Sequence, residues 1–174
     1  MKLDKLWNGL KQIANGDYVL EGDLISDETI EVDLDDRLVV RGRIASKKSI
    51  IVKKGLIAGC GIEAGDGIEA GWGIKAGWGI EAGDGIKAGD GIEAGCGIEA
   101  KAFIHSEKRI FAGISLYHTN ENCTKTITCA ELRKGEICFG ELVITKPEEP
   151  TETIMSIAEI ETALGIKNLK IKEN

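Results

Sequence analysis

Residues 61–100 read GIEAGDGIEAGWGIKAGWGIEAGDGIKAGDGIEAGCGIEA. Isoleucine returns at every sixth position, at Ile62, Ile68, Ile74, Ile80, Ile86, Ile92 and Ile98. The frame runs on through Ile104 and Ile110 to Leu116. Backward it passes Leu56, Ile50, Ile44, Leu38 and Val32 to Leu20, with Ser26 as its one break. A strict short repeat of this kind predicts a solenoid, in which each coil buries the apolar side of the next.

The unit is Gly-Ile-Glu/Lys-Ala-Gly-X. In a strand, residues i and i+2 share a face. Ile and Ala therefore point inward, and the charged residue between them points to water. The following Gly-X-Gly has the composition of a tight corner, where glycine is expected to supply positive φ. One hexad is one short strand and one bend, and three hexads make a triangular coil of about 18 residues. Over residues 20–116 this gives about five coils, a rod about 25 Å long at the usual strand spacing.

Charge tests that winding. Residues 17–36 hold nine acids and no base, residues 37–54 hold seven bases and no acid, and residues 58–100 hold eight acids and two lysines. Stacking at 18 places Asp23 on Arg41, Asp35 on Lys53, Asp36 on Lys54, Glu69 on Lys87 and Lys75 on Glu93. The isolated lysines then break up like-charge ladders. Glu63, Glu81 and Glu99 remain an acidic column. Oppositely charged blocks lying side by side would also pair at other offsets.

The expected organisation has four parts. Residues 1–16 form a capping helix, because Leu3, Leu6, Trp7, Leu10 and Ile13 fall at helical spacing before Asn15-Gly16. Residues 17–118 form the three-sided parallel β-helix. Residues 119–146 supply irregular closing strands. In 147–174 a linker precedes a short helix, with a capping box at Ser156–Glu159 and an apolar stripe of Ile157, Ile160 and Leu164, and then a strand.

Composition narrows the class further. The chain has 174 residues, net charge −7, 23 glycines and 5% aromatics, so an ordinary globular core is not expected. No apolar run is long enough to span a membrane, and the first residues lack a signal-peptide core, so a soluble cytoplasmic protein is expected. The five cysteines, Cys60, Cys96, Cys123, Cys129 and Cys138, show no zinc spacing and are read as reduced thiols. Cys60 and Cys96, two coils apart, lie beyond disulfide reach.

Neither His105 nor His118 sits in a nucleophile or metal motif, and no catalytic residue, metal or cofactor is expected. The candidate surface for a partner is Trp72 and Trp78 at corner positions, with the carboxylates Glu63, Asp66, Glu69, Glu81, Asp84, Asp90, Glu93 and Glu99. Each tryptophan either shields a glycine corner or serves as an exposed anchor. The acids either solubilise the rod or imitate a phosphate backbone. The basic band at 37–54 is offset by its acidic neighbour, so direct nucleic-acid binding is not expected.

The stretch RGRIASKKSIIVKKGLIAG (41–59) resembles the Gly-x-Ile-x-Ala pattern of bactofilins, which implies a right-handed, three-sided β-helix. The hexapeptide acyltransferases carry the reverse order, small-x-Ile, together with a catalytic-histidine loop that this sequence lacks. The stretch GIEAGWGIKAGWGIEAGDGIKAG resembles small uncharacterised β-solenoid proteins of bacteriophages and mobile elements of Gram-positive bacteria, as do GEICFGELVI and TIMSIAEIETALG. That context implies a non-enzymatic inhibitor of a host protein, such as an anti-CRISPR acting on a defence nuclease, as a monomer or small oligomer. A structural or scaffolding β-helix is the alternative, and an acyltransferase ranks last.

Overall fold

The computed structural model describes residues 1–114 and 123–145. It is an all-β parallel solenoid of about seven turns. Three short strands alternate with corners in each coil, and between Tyr18 and Ala100 each strand pairs with the strand three places along. The first face stacks Leu24–Ser26, Ile44–Ser46, Ile62–Ala64, Ile80–Ala82, Ile98–Ala100, Thr126–Cys129 and Glu141–Ile144. The other two faces are joined near the C-terminal end by a ten-residue strand, Phe103–Ala112, which turns the corner between them.

Through the glycine-rich tract the register is 18 residues, as expected: Ile62 lies opposite Ile80, and Ile80 opposite Ile98. These isoleucines are at most 1% exposed, and the alanines of the second inward position at most 3%. Each buried isoleucine contributes roughly 1.5–3 kcal/mol of transfer free energy. Alanine beside it leaves room for three converging faces in one narrow interior.

The first coil departs from that period. Tyr18 lies opposite Leu38, Leu24 opposite Ile44 and Ile30 opposite Ile50, all at an offset of 20. The corner between Val32 and Leu38 is two residues longer than the others, and Leu34 in it is buried. The first inward positions are therefore Tyr18, Leu24 and Ile30, and the expected frame through Leu20, Ser26 and Val32 marks the second ones. Ser26 was no break: it lies below Ser46 at a place for small residues.

The expected 18-residue ion pairs fail there for the same reason. Asp23 pairs with Arg43 at 3.6 Å and Asp33 with Lys53 at 3.2 Å, both 20 apart. Arg37 donates to buried Asp17 through Nε at 2.7 Å and Nη2 at 3.0 Å. Beyond the long corner the expectation holds, with Lys87 on Glu69 at 2.6 Å and Lys75 on Glu93.

The capping helix over residues 1–16 is replaced by strands. Lys2–Leu3 adds to the edge at Ile30–Val32, and Leu10–Gln12 pairs antiparallel with Tyr18–Leu20 through a hairpin. The edge of the first coil presents unpaired backbone groups, and a strand satisfies them where a helix would leave them open. Leu3 is fully buried, whereas Leu6 is 93% exposed, which a helix with a continuous apolar stripe would not show. The expected closing strands begin at Thr126, and Ile127 lies opposite Ile98 at an offset of 29, so an eleven-residue insertion displaces the last repeat from Leu116. Leu116, His118 and the 147–174 linker, helix and strand lie outside the described residues.

Glycine at the corners answers to crowding rather than to φ. None from Gly59 to Gly97 has a left-handed φ. A Cβ on the first glycine of a corner would instead meet a carbonyl of the coil before: at Gly83 it would lie 1.8 Å from the Gly65 oxygen, and at Gly77 2.1 Å from that of Gly59. The second glycine is looser at Gly67, where the nearest atom is 3.2 Å away, and at Gly79, where it is 3.3 Å away, though not at Gly85, which a Phe103 ring atom approaches to 2.4 Å. Arg41, Lys47, Lys53 and Lys101 hold the equivalent of the first position at the ends of the tract, so this close approach belongs to the tract's own corners. Gly83→Ala is expected to cost about 1–3 kcal/mol, the range for overpacking a rigid site. Gly79→Ala should change stability by less than about 1 kcal/mol either way. Urea unfolding followed by tryptophan fluorescence compares them, and equal effects would show that the corner yields.

The N-terminal strands are tied down by Asp35, which accepts from Lys5 Nζ at 2.5 Å and from the Tyr18 hydroxyl at 2.7 Å. These hydrogen bonds, Lys5 foremost, lower its carboxyl to about 2 from an ordinary 3.8. A depressed folded pKa gives stability that is complete above the unfolded value and is lost as pH falls towards the folded one. Between pH of about 4 and 2, Trp7 fluorescence is expected to report loosening of the N-terminal segment. In Asp35→Asn that transition should be absent, and its persistence would assign the acid response to other carboxylates.

Candidate functional site: an acidic face beside a tryptophan corner

Stacking at 18 turns the hexad's variable position into columns along the corners. One corner carries Cys60, Trp78 and Cys96, linked by Trp78 N–H to the Cys60 carbonyl at 3.2 Å and Cys96 N–H to the Trp78 carbonyl at 3.3 Å. The next carries Lys48, Asp66, Asp84 and Ala102. Between them lies the first face, whose outward residues in the tract are Glu63, Glu81 and Glu99, directly opposite one another in register. The third corner carries Lys54, Trp72, Asp90 and Lys108.

The ten candidate residues therefore divide into two groups. Trp78, Glu63, Glu81, Glu99, Asp66 and Asp84 share the first face and the corners that flank it. Trp72, Glu69, Asp90 and Glu93 lie elsewhere, each engaged by a base. Lys54 Nζ sits 4.7 Å from the Trp72 ring centroid, Lys108 reaches Asp90 at 2.6 Å, and Lys87 and Lys75 hold Glu69 and Glu93. Trp72 is 38% exposed and Trp78 is 51%. The contact beneath Trp72 was legible in the sequence, since Lys54 precedes it by 18.

A groove of about 530 Å³ runs along the first face. Gly61, Gly79 and Gly97 line it between the Trp78 corner and the glutamates. Their lack of side chains leaves backbone open between an aromatic wall and an acidic one. Strand spacing sets consecutive carboxylate-bearing backbones about 4.8 Å apart, and like charges directly opposite destabilise a sheet by roughly 0.2–1 kcal/mol per pair. The lysines that relieve this on the other two faces have no counterpart in the Glu63–Glu81–Glu99 column. An approaching cation would remove the repulsion.

Thr124 and Thr126 line the C-terminal end of the groove, and sequence reasoning missed them. They follow the insertion, which is fixed to the rod by a disulfide between Cys96 and Cys123, with Cα atoms 5.0 Å apart. The expectation that all five cysteines are thiols fails at these two. Cys123 lies at the corner where Cys96 sits, a proximity that spacing alone does not reveal. Cys60 is a free thiol, as are Cys129 and Cys138.

His105 lies opposite Lys87, away from the first face, and is 2.8 Å from Glu107. Among the described residues no group of three or more histidines, cysteines or carboxylates is arranged to hold a metal ion. No helix among them is long and apolar enough to cross a membrane. No protein-family model, curated protein or solved structure matches the chain.

Thiol titration checks the bridge. Cys60 and Cys138 are exposed and should react quickly in the native protein, whereas Cys129 is fully buried and its thiol is raised by desolvation. Cys129 is expected to react only on unfolding. Cys96 and Cys123 should appear only after a dithiol reductant. If they label alongside Cys60 without reductant, the bridge is not formed.

Proposed function

We propose that this protein is a non-enzymatic binding rod that occupies a basic, nucleic-acid-binding site on a host protein. The first face is its contact surface. One observation carries the reading: the unrelieved Glu63–Glu81–Glu99 column beside Trp78, on a rod whose other faces alternate in sign. Evenly spaced carboxylates give a basic channel the charge pattern it is built to receive. Trp78 adds an aromatic anchor of the kind enriched at binding hot spots.

The resemblance to phage and mobile-element proteins supports a partner among host defence nucleases, CRISPR effectors included, in the bacterial cytoplasm. It is for this reading that an anti-CRISPR role is preferred. The Gly-x-Ile-x-Ala order supports a right-handed winding. A scaffolding role draws on a different observation, the partial exposure of Leu142 and Ile144 in the last strand among the described residues, and predicts end-to-end polymers.

Tagged protein incubated with host lysate provides the test, with and without reductant. Trp78→Ala and the triple variant Glu63→Gln/Glu81→Gln/Glu99→Gln are each expected to lower partner recovery by about tenfold or more, the scale of one hot spot. Trp72→Ala should retain it. Recovery should fall as salt rises from about 0.05 to 0.5 M, and added duplex DNA should release the partner. Salt-independent recovery, or equal recovery with the triple variant, would remove the carboxylates from the mechanism.

A further inference from the structure

The second glycine of a corner leaves a shallow channel on the rod, and the chain fills some of these channels with its own side chains. At the corner that carries Asp66 and Asp84, the Phe103 ring takes the space a Cβ on Gly85 would need. The Arg133 guanidinium covers that ring, with Cζ 3.6 Å from its centroid. At the corner that carries Trp72, the Arg37 stem lies against Gly55, its Cγ 2.8 Å and its Cδ 3.2 Å from where a Cβ would stand. The head of the same side chain forks onto Asp17. The fold itself thus shows what a corner glycine accepts: a flat ring or an arginine stem. It also shows what holds a guanidinium there, an aromatic face or a carboxylate.

The Cys60–Trp78–Cys96 corner has the same channel with its floor open. Among the described residues, a Cβ on Gly61 or Gly79 would meet only a backbone oxygen, at 3.4 and 3.3 Å. Trp78 and the column of Glu63, Glu81 and Glu99 line the groove of about 530 Å³ around that floor. An aromatic face and carboxylates, which hold Arg133 and Arg37 at two separate corners, here border one glycine floor.

We propose that this groove recognises arginine side chains, presented by an arginine-rich segment of the protein partner. The inference rests on the first face being the contact surface, and it names what that surface reads. An arginine stem covers the glycines as the Arg37 stem covers Gly55. Its planar head stacks on the indole or forks onto the glutamates. Lysine brings a similar stem but a compact, strongly hydrated head that neither stacks flat nor forks. Carboxylates alone would take any cation, whereas the open floor and the aromatic wall select the guanidinium.

Fluorescence anisotropy of labelled hexa-arginine and hexa-lysine, titrated with the full chain at about 0.05 M salt, provides the test. The two peptides carry equal charge, and the comparison needs no substitution. Hexa-arginine should bind about tenfold or more tighter. Glu63→Gln/Glu81→Gln/Glu99→Gln should weaken both peptides. Gly79→Ala puts a methyl on the floor, and should weaken hexa-arginine by about fivefold or more while leaving hexa-lysine nearly unchanged. Equal affinity for the two peptides, or a hexa-arginine affinity untouched by Gly79→Ala, overturns the proposal. If the peptides bind alike while the lysate partner still needs the three glutamates, the contact surface stands and arginine recognition falls. If the preference for hexa-arginine holds and no lysate partner is recovered, arginine recognition stands and the host-protein reading falls.

Discussion

How closely two backbones approach at a corner sets the terms for the rest of this structure. In the glycine tract the first corner residue lies against a carbonyl one coil below, at a distance that leaves no room for a Cβ at Gly83 or Gly77. Backbone hydrogen bonds beside that contact, such as Gly83 N–H to the Ala64 carbonyl at 3.0 Å, hold successive coils in register. Register in turn stacks isoleucine on isoleucine, alanine on alanine and each variable residue on its counterpart 18 positions away. The dry interior, the ladders of charge and the corner columns all follow from it.

The same regularity made most of the fold legible in the sequence. Ile62 through Ile110 announce three strands per coil, and the lysines at 75 and 87 confirm the period because only an 18-residue winding brings them to Glu93 and Glu69. The N-terminal part was misread where two offsets explain the same charges almost equally well. An acidic block beside a basic block pairs at 18 or at 20, and the decision rests with Leu34, whose burial in a longer corner leaves no periodic trace. The first sixteen residues were misread because Leu3, Leu6, Trp7, Leu10 and Ile13 satisfy a helical pattern, whereas the need of an open strand edge for backbone partners is a tertiary demand. The disulfide escaped for a similar reason, since the approach of Cys123 to Cys96 is tertiary and leaves no mark in their spacing.

The candidate surface was half legible. Composition picked out tryptophans and carboxylates without saying which share a face. Register sorts them: Trp72, Glu69, Asp90 and Glu93 each stack one coil from a base, and the remaining six collect on the first face and its two corners. A uniform column is electrostatically unfavourable in the free rod, and it stands beside two faces on which lysines pair with the neighbouring glutamates. The groove next to it exists because Gly61, Gly79 and Gly97 contribute no side chains.

The near-identity of successive hexads carries a further consequence. A ladder of equal rungs has translational degeneracy: during folding, Ile68–Ala70 can meet Ile104–Ser106 with almost the same apolar match it finds at Ile86–Ala88. Something must set the phase. The features that do so are not repeated: the five-residue corner that buries Leu34 and the forked Arg37–Asp17 contact at one end, the Cys96–Cys123 tie at the other. The least repetitive segments thus fix where the most repetitive one begins counting.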